Sequence, residues 1–378
     1  MKKRTEIDDS IMSTTLKFSD DSDMEQTQVG IPKEERVLRT QAYDKSVSDI
    51  VDMIKSNDVI LNPEYQRNYV WNSKKASLLV ESILLNVPIP IIYVSEEEDG
   101  RWSVVDGLQR LNSLRRYFGN EFKLTGLEVL QELNGSQYYK LNPKAQRLLR
   151  NGILRIILIF KESNPEIKYD IFMRLNKSSI QLNDQELRNC LYRGEFNDLL
   201  KNLALNSNFL AMLRLKKPHK RMRDSEMILR YLAVADDYNS EHGKMKTYKG
   251  SMRTFLNTYM GEMKNASSDT IVMLKDRFEN TILKVHAVFG NNAFRRIDSS
   301  GKFDSAVNRA IADFIMTTFE NFEYDALVSN KQKIISALRN IIMEDTKFSE
   351  SVSFGTSDTQ KLEYRLSVWS KQLQSLLK

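Results

Sequence analysis

The sequence predicts an α+β protein: a small mixed sheet with helices in the first half, followed by an all-helical domain. Three observations carry this expectation. "IIYVSE" and "RWSVV" flank the acidic turn "EEEDG" at 96–100 in the manner of two strands. "GILRIILIF" at 152–160 is rich in branched apolar side chains, the composition of a buried strand. From about 196 onward the pattern is nearly all helical, plainest where Leu362, Leu366, Trp369, Leu373 and Leu376 recur at 3/4 spacing.

Taken in order, residues 1–40 are polar, carry mixed charges ("KFSDDSDMEQTQ") and lack a sustained apolar period, which predicts a flexible arm. Residues 41–195 form the mixed part. Val47, Ile50, Val51 and Ile54 mark a short helix over 46–56. Pro63 makes "VILNPEYQRNYVW" an ordered loop rather than a long helix or central strand. In "NSKKASLLVESILLN", Ala76, Leu79, Val80, Ile83 and Leu84 share one helix face, with Asn72 or Ser73 as the cap. Pro88-Ile89-Pro90 ends that run. Leu111, Leu114 and Phe118 mark a helix to about 118, and "NPEIKYDIFMRLN" another, with Pro165 in its first turn. Asn183 and Glu186 have capping-box spacing, and Gly194 suits the far end of that helix. Residues 196–378 are the helical part, where Asp224 or Ser225 is the expected cap of "HKRMRDSEMILRYLA".

Composition narrows the function classes. No run approaches the roughly 18 apolar residues of a membrane span, and the start lacks a secretory apolar stretch; a cytoplasmic protein without a membrane partner is expected. The single cysteine, Cys190, excludes an internal disulfide and reads as a small buried hydrophobe beside Leu187 and Leu191. His219, His242 and His286 have no zinc spacing. A net charge of +6 permits a polyanionic partner without requiring one.

The informative stretch is "WSVVDGLQRLNSLRRYF", residues 102–118, where a strand ends in Asp-Gly and feeds a helix. The first N–H groups of a helix lack intrahelical partners and carry partial positive charge, so this corner is a place to receive an anion. Gly107 permits close backbone approach, and Arg110 offers a planar head that can grip phosphate with two bonds. Asp106 would hold Arg110 or a magnesium ion, or orient an attacking water as general base. The plain alternative is an Asp N-cap beside a solvated Arg110. Two further clusters favour the pocket: Gln66 and Arg67 among Tyr65, Tyr69 and Trp71, and Arg174, Asn176, Asn183, Glu186, Arg188 and Asn189.

These segments resemble the N-terminal domain of GmrSD-type restriction enzymes, a domain found also in SspE-type phage-defence proteins and in stand-alone bacterial proteins. The family pattern has a Gln-Arg loop ending in Tyr-x-Trp, a helix, a Pro-Ile-Pro turn, a DGQQR corner, then "RLN…LN…QELRN". Here these are Gln66-Arg67 with Tyr69 and Trp71, Pro88-Ile89-Pro90, "DGLQR", and Arg174 through Asn189, in the same order over about 45–200. The resemblance implies a ParB/sulfiredoxin-like fold. It also implies a nucleoside triphosphate bound at the corner, with hydrolysis, and a role in sensing or restricting foreign DNA. Carried over, Asp106 and Arg110 are the catalytic pair, with magnesium at Asp106. Gln66, Arg67, Gly107, Leu108 and Gln109 line the nucleotide, and Arg174, Asn176, Glu186 and Arg188 extend the lining. Leu108 stands where the family has its first Gln, which removes one polar contact.

A His-Asn-His nuclease domain follows in GmrSD and SspE, but none of the three histidines here lies in such a motif. The expected function is therefore a slow nucleoside triphosphatase of a DNA-related defence system, acting with a separate nuclease or effector protein. A non-catalytic module binding DNA or a partner is the alternative, with the basic stretch "RLKKPHKRMR" (214–223) as a phosphate-following surface. A nuclease built on the ParB-like domain itself is the third reading. The amphipathic C-terminal helix serves self-association into a homo-oligomer as readily as it caps the core.

Overall fold

The computed structural model describes residues 38–61, 71–175 and 183–377. The chain divides into two compact units between Leu191 and Tyr192.

The first unit runs β1 (Thr40–Ser46), α1 (Val47–Lys55), β2 (Val59–Ile60), α2 (Ser73–Leu84), β3 (Ile92–Glu96), β4 (Trp102–Asp106), α3 (Leu108–Phe118), α4 (Pro143–Asn151), β5 (Ile153–Ile159), α5 (Pro165–Leu175) and α6 (Asp184–Leu191). Its five strands lie in the order β1-β5-β3-β4-β2. β1 is antiparallel to β5 and β3 to β4, while β3 runs parallel to β5 and β2 to β4. The sheet is mixed, as expected.

Local chemistry sets the helix starts. Ser46 and Asp49 form a capping box at α1, and Asn72 Oδ1 accepts from Lys75 N–H at α2. One sheet face carries Ile92, Val94, Leu154, Ile156 and Leu158, packed with Val47, Ile50, Val80, Leu111 and Leu114 into the main core. On the other face Ile159 and Val105 pack with Tyr169, Phe172 and Leu187 of α5 and α6. β5 is less buried than its composition predicts: Ile153 and Arg155 are exposed, and Arg155 pairs with Asp44 across the edge strand.

The arm expected over 1–40 lies outside the described residues up to 37, and its last residue, Thr40, opens β1. Cys190 is half-buried, since it falls between the two apolar positions of α6 rather than on them. Gly194 does not close α6. It is the N-cap of the next helix, with φ +136, where a Cβ would lie 2.9 Å from the Lys264 carbonyl oxygen.

Glu81, on α2, is a buried carboxylate with a defined task. Its Oε1 accepts from Val129 and Leu130 N–H at 2.8 and 2.7 Å, and its Oε2 from Glu128 N–H at 3.2 Å. Burial opposes its charge, and the three amides outweigh burial, so the carboxyl titrates below the ordinary glutamate value. The stabilisation is therefore present above about pH 4.3, the unfolded value, and disappears as pH falls through the depressed folded value. Glu81→Gln is expected to cost about 1–3 kcal/mol at pH 7. In urea titrations the gap from wild type should shrink by pH 3.5; a constant gap would contradict this role.

The second unit contains α7 (Glu195–Leu203), α8 (Ser207–Leu213), α9 (Arg223–Asp237), a short hairpin of β6 (Tyr238–Asn239) and β7 (Lys244–Met245), then α10 (Met252–Met263), α11 (Ser268–Phe289), α12 (Arg309–Phe319), α13 (Tyr324–Ser329), α14 (Lys331–Glu344), α15 (Thr346–Ser351) and α16 (Thr359–Leu377). α12 is buried from Ala310 through Phe319. α16 buries Leu362, Leu366, Trp369 and Leu373 in this unit, with Trp369 edge-on to Phe314 at 5.6 Å. The helix thus caps the core of this unit, one of its two expected uses. The expected cap of α9 is different: Met222, at φ +52, is the N-cap, and Asp224 and Ser225 lie inside the first turn. The buried Asp224 carboxylate accepts from His219 N–H at 2.6 Å and from Ser225 N–H at 2.8 Å. It ties the preceding loop to the helix start.

Candidate functional site

β4 ends on Asp106, and Gly107 turns the chain with φ +97 into α3. A Cβ at Gly107 would lie 2.8 Å from Ile92 Cγ1 and 3.2 Å from Arg110 Nη2, so the turn is open to glycine alone. Gly107 is also the N-cap and supplies no side-chain hydrogen bond. The leading amides of α3 therefore have no capping oxygen from that position.

Arg110 is neither solvated nor loose. Its side chain is only 12% exposed, and its Nη2 lies 2.8 Å from Asp106 Oδ2. The same nitrogen donates to the Ile91 carbonyl at 3.3 Å, and Nη1 donates to the Pro90 carbonyl. The last residue of the Pro88-Ile89-Pro90 turn and the next residue, Ile91, thus present two carbonyl oxygens that, with Asp106, hold the guanidinium in one pose. Burial pushes the Arg110 pKa down, and the Asp106 charge opposes this. The plain alternative, an Asp cap beside a solvated arginine, is replaced on both counts: the cap is Gly107, and Asp106 holds Arg110.

A backbone irregularity positions Asp106. Val94 pairs with Val104, but Tyr93 pairs with Asp106, so Val105 is an extra residue in β4. Such a bulge re-aims the side chains that follow it. Without it Asp106 would share the face of Val104, toward the main core; with it Asp106 lies opposite Tyr93. Val105, next to Asp106, packs in the cluster containing Leu187, which brings α6 onto the same side of the sheet.

The other expected residues divide clearly. Gln66, Arg67 and Asn176 lie outside the described residues. Leu108 and Gln109 are half-buried in the first turn of α3, where the Gln109 carbonyl accepts from Ser113 Oγ at 2.6 Å. Arg174 is 72% exposed and pairs with Asp170, one turn earlier on α5, at 2.8 Å. Glu186 is buried in the expected capping box: its Oε2 accepts from Asn183 N–H at 2.7 Å, and its N–H donates to Asn183 Oδ1 at 2.8 Å. Arg188 is buried on α6 and donates to Gln185 Oε1 at 3.2 Å. The sequence reading did not select Pro90, Ile91 or Tyr93 as contributors. The proline turn signals the first two; nothing local signals the bulge.

No group of three or more His, Cys, Asp or Glu side chains able to hold a metal occurs among the described residues. Asp106 offers one carboxylate with one oxygen engaged by Arg110. That donor set fits magnesium carried in by phosphates and touched by one carboxylate oxygen, and it does not fit an ion held by the protein alone. His219 accepts from Arg221 N–H at its Nδ1, His242 pairs with Asn239, and His286 lies half-buried on α11. In the basic stretch, Lys216, Lys217 and Lys220 are exposed, while Arg221 and Arg223 are half-buried.

The fold and the site define a class of α+β domain in which a mixed sheet passes, through a glycine N-cap without a side-chain oxygen, into a helix that carries a braced arginine. Within that class, residues 47–193 match the family of the GmrSD restriction endonuclease N-terminal domain. The matched stretch runs from α1 through the Asp-Gly corner to just beyond α6, less than half of the chain. No curated protein and no solved structure matches.

Proposed function

We propose that the Asp106–Arg110 corner binds the phosphates of a nucleoside triphosphate and hydrolyses it slowly, in the service of a restriction or anti-phage system. The observation that carries the reading is the braced guanidinium beside a helix start whose N-cap, Gly107, has no side-chain oxygen, inside the stretch that matches a restriction-endonuclease domain. Helix polarity supplies only about 0.3–1 kcal/mol at an exposed end, so Arg110 provides most of the grip. Three internal hydrogen bonds already fix its pose. Little side-chain entropy is then lost on binding.

In this scheme the leading amides of α3 and the remaining Arg110 N–H groups donate to phosphate oxygens. Asp106 keeps Oδ2 on Arg110 and uses Oδ1 to orient water toward the terminal phosphorus. Magnesium, arriving with the phosphates, would neutralise charge on the phosphoryl oxygens, and Asp106 is the residue that would touch it. Leu108 contributes no polar contact.

The test is phosphate release and thermal stabilisation of the full chain with a panel of triphosphates and magnesium. A ligand at 100 times its Kd should add about 2.7 kcal/mol of stability. Arg110→Lys loses the Nε–H and the remaining Nη1–H donors together with the bracing at Pro90 and Ile91, and should weaken binding about tenfold or more. Asp106→Asn should lower release more than affinity. Equal release in all three proteins removes the enzyme claim. Stabilisation without release in wild type leaves the non-catalytic, ligand-sensing reading.

A further inference from the structure

The bulge that turns Asp106 away from the main core sets one aromatic side chain beside it. Tyr93 is the register partner of Asp106, and directly opposed residues have Cβ atoms about 4.5–5.5 Å apart on the same face. Its neighbours Ile92 and Val94 are buried in the main core, so Tyr93 points to the opposite face by the alternation of the strand. Its side chain is half-buried. Ile157, paired with Tyr93 from β5, is half-buried as well. The segment 90–93 therefore delivers two things: the carbonyls that brace Arg110 and a half-buried aromatic side chain opposite Asp106.

We propose that Tyr93 is the specificity-determining residue of this site, its ring carrying the nucleobase and making the corner select a nucleotide over a bare polyphosphate. This rests on the reading of the corner as a phosphate site. The chemistry is that of a stacking platform: every base has a π-face, and an aromatic side chain adjoining a phosphate grip receives it without reading its edges.

The experiment compares equilibrium binding of ATP and of inorganic tripolyphosphate to the full chain carrying Tyr93→Leu or Tyr93→Phe. Leucine keeps an apolar side chain and removes the ring. ATP affinity should fall about tenfold in Tyr93→Leu, while tripolyphosphate affinity stays within about twofold. Tyr93→Phe, which restores the ring, should recover ATP affinity to within about threefold. Unchanged ATP affinity in Tyr93→Leu overturns the assignment, and so does an equal loss of both ligands, since a ring that merely props the sheet would weaken both. Failure of the phosphate reading looks different: wild type then binds neither ATP nor tripolyphosphate, and both proposals fall.

Discussion

Replacing Asp313 by alanine is expected to destabilise the helical unit by about 3–5 kcal/mol, the largest effect of any single substitution considered. Asp313 lies on α12 with its side chain 3% exposed, and it faces two arginines. Arg230 of α9 donates to Oδ1 at 3.1 Å and to Oδ2 at 2.6 Å. Arg365 of α16, with no exposed side-chain surface, lies 3.4 Å from Oδ2 and also donates to the Ser351 and Thr356 carbonyls. Burial pushes the Arg365 pKa down, with Asp313 opposing the shift. Removing the carboxylate leaves two guanidinium groups buried without their counter-charge, a penalty that outweighs the value of the bonds themselves. The contrast is a triple replacement, Arg230→Met with Asp313→Leu and Arg365→Met, which removes both the attraction and the desolvation cost. It should come within about 1 kcal/mol of wild type or exceed it. Denaturant midpoints of the two variants decide the matter: if the triple variant is as weak as Asp313→Ala, packing rather than charge is what the cluster provides.

The second large effect is at the site. Gly107→Ala should cost about 2–4 kcal/mol, because an L side chain at φ +97 is strained and its Cβ meets Ile92 in the main core. Relief requires Ile92 or Arg110 to shift. Since Arg110 Nη2 lies 3.2 Å from that Cβ position, the guanidinium should leave the Pro90 and Ile91 carbonyls. Nucleotide affinity should then drop by more than the stability loss alone explains at temperatures where the variant is folded. Gly100→Ala is the matched control, with φ +82 but nothing within 4 Å of its Cβ, so it isolates the backbone strain. An equal cost at both positions would show that contact with Ile92 and Arg110 is unimportant.

What the sequence reading captured depends on short-range physics. Helix starts at Ser46, Asn72 and Asn183 are settled by a side-chain oxygen and an amide three residues apart. The same holds for apolar recurrence on α1, α2 and α16, and for the composition of β5. Errors arose where the deciding partner is remote. β1, "TQAYDKS", has little apolar periodicity and is a strand because β5 pairs with it. Met222 and Gly194 serve as N-caps at positive φ although neither has a capping side chain, so no local cap signal marks them.

At the candidate site the division is the same. Composition and order alone marked Asp106, Gly107 and Arg110 as one strand-to-helix corner, because a glycine between a strand and a helix, followed by an arginine, is a local arrangement. Only the fold decided what those residues face. The Pro90 carbonyl reaches Arg110 across twenty positions of chain, and the extra residue Val105 exists only relative to β3. Strand register is a relation between two segments, set by which faces can be buried together, and no single segment encodes it.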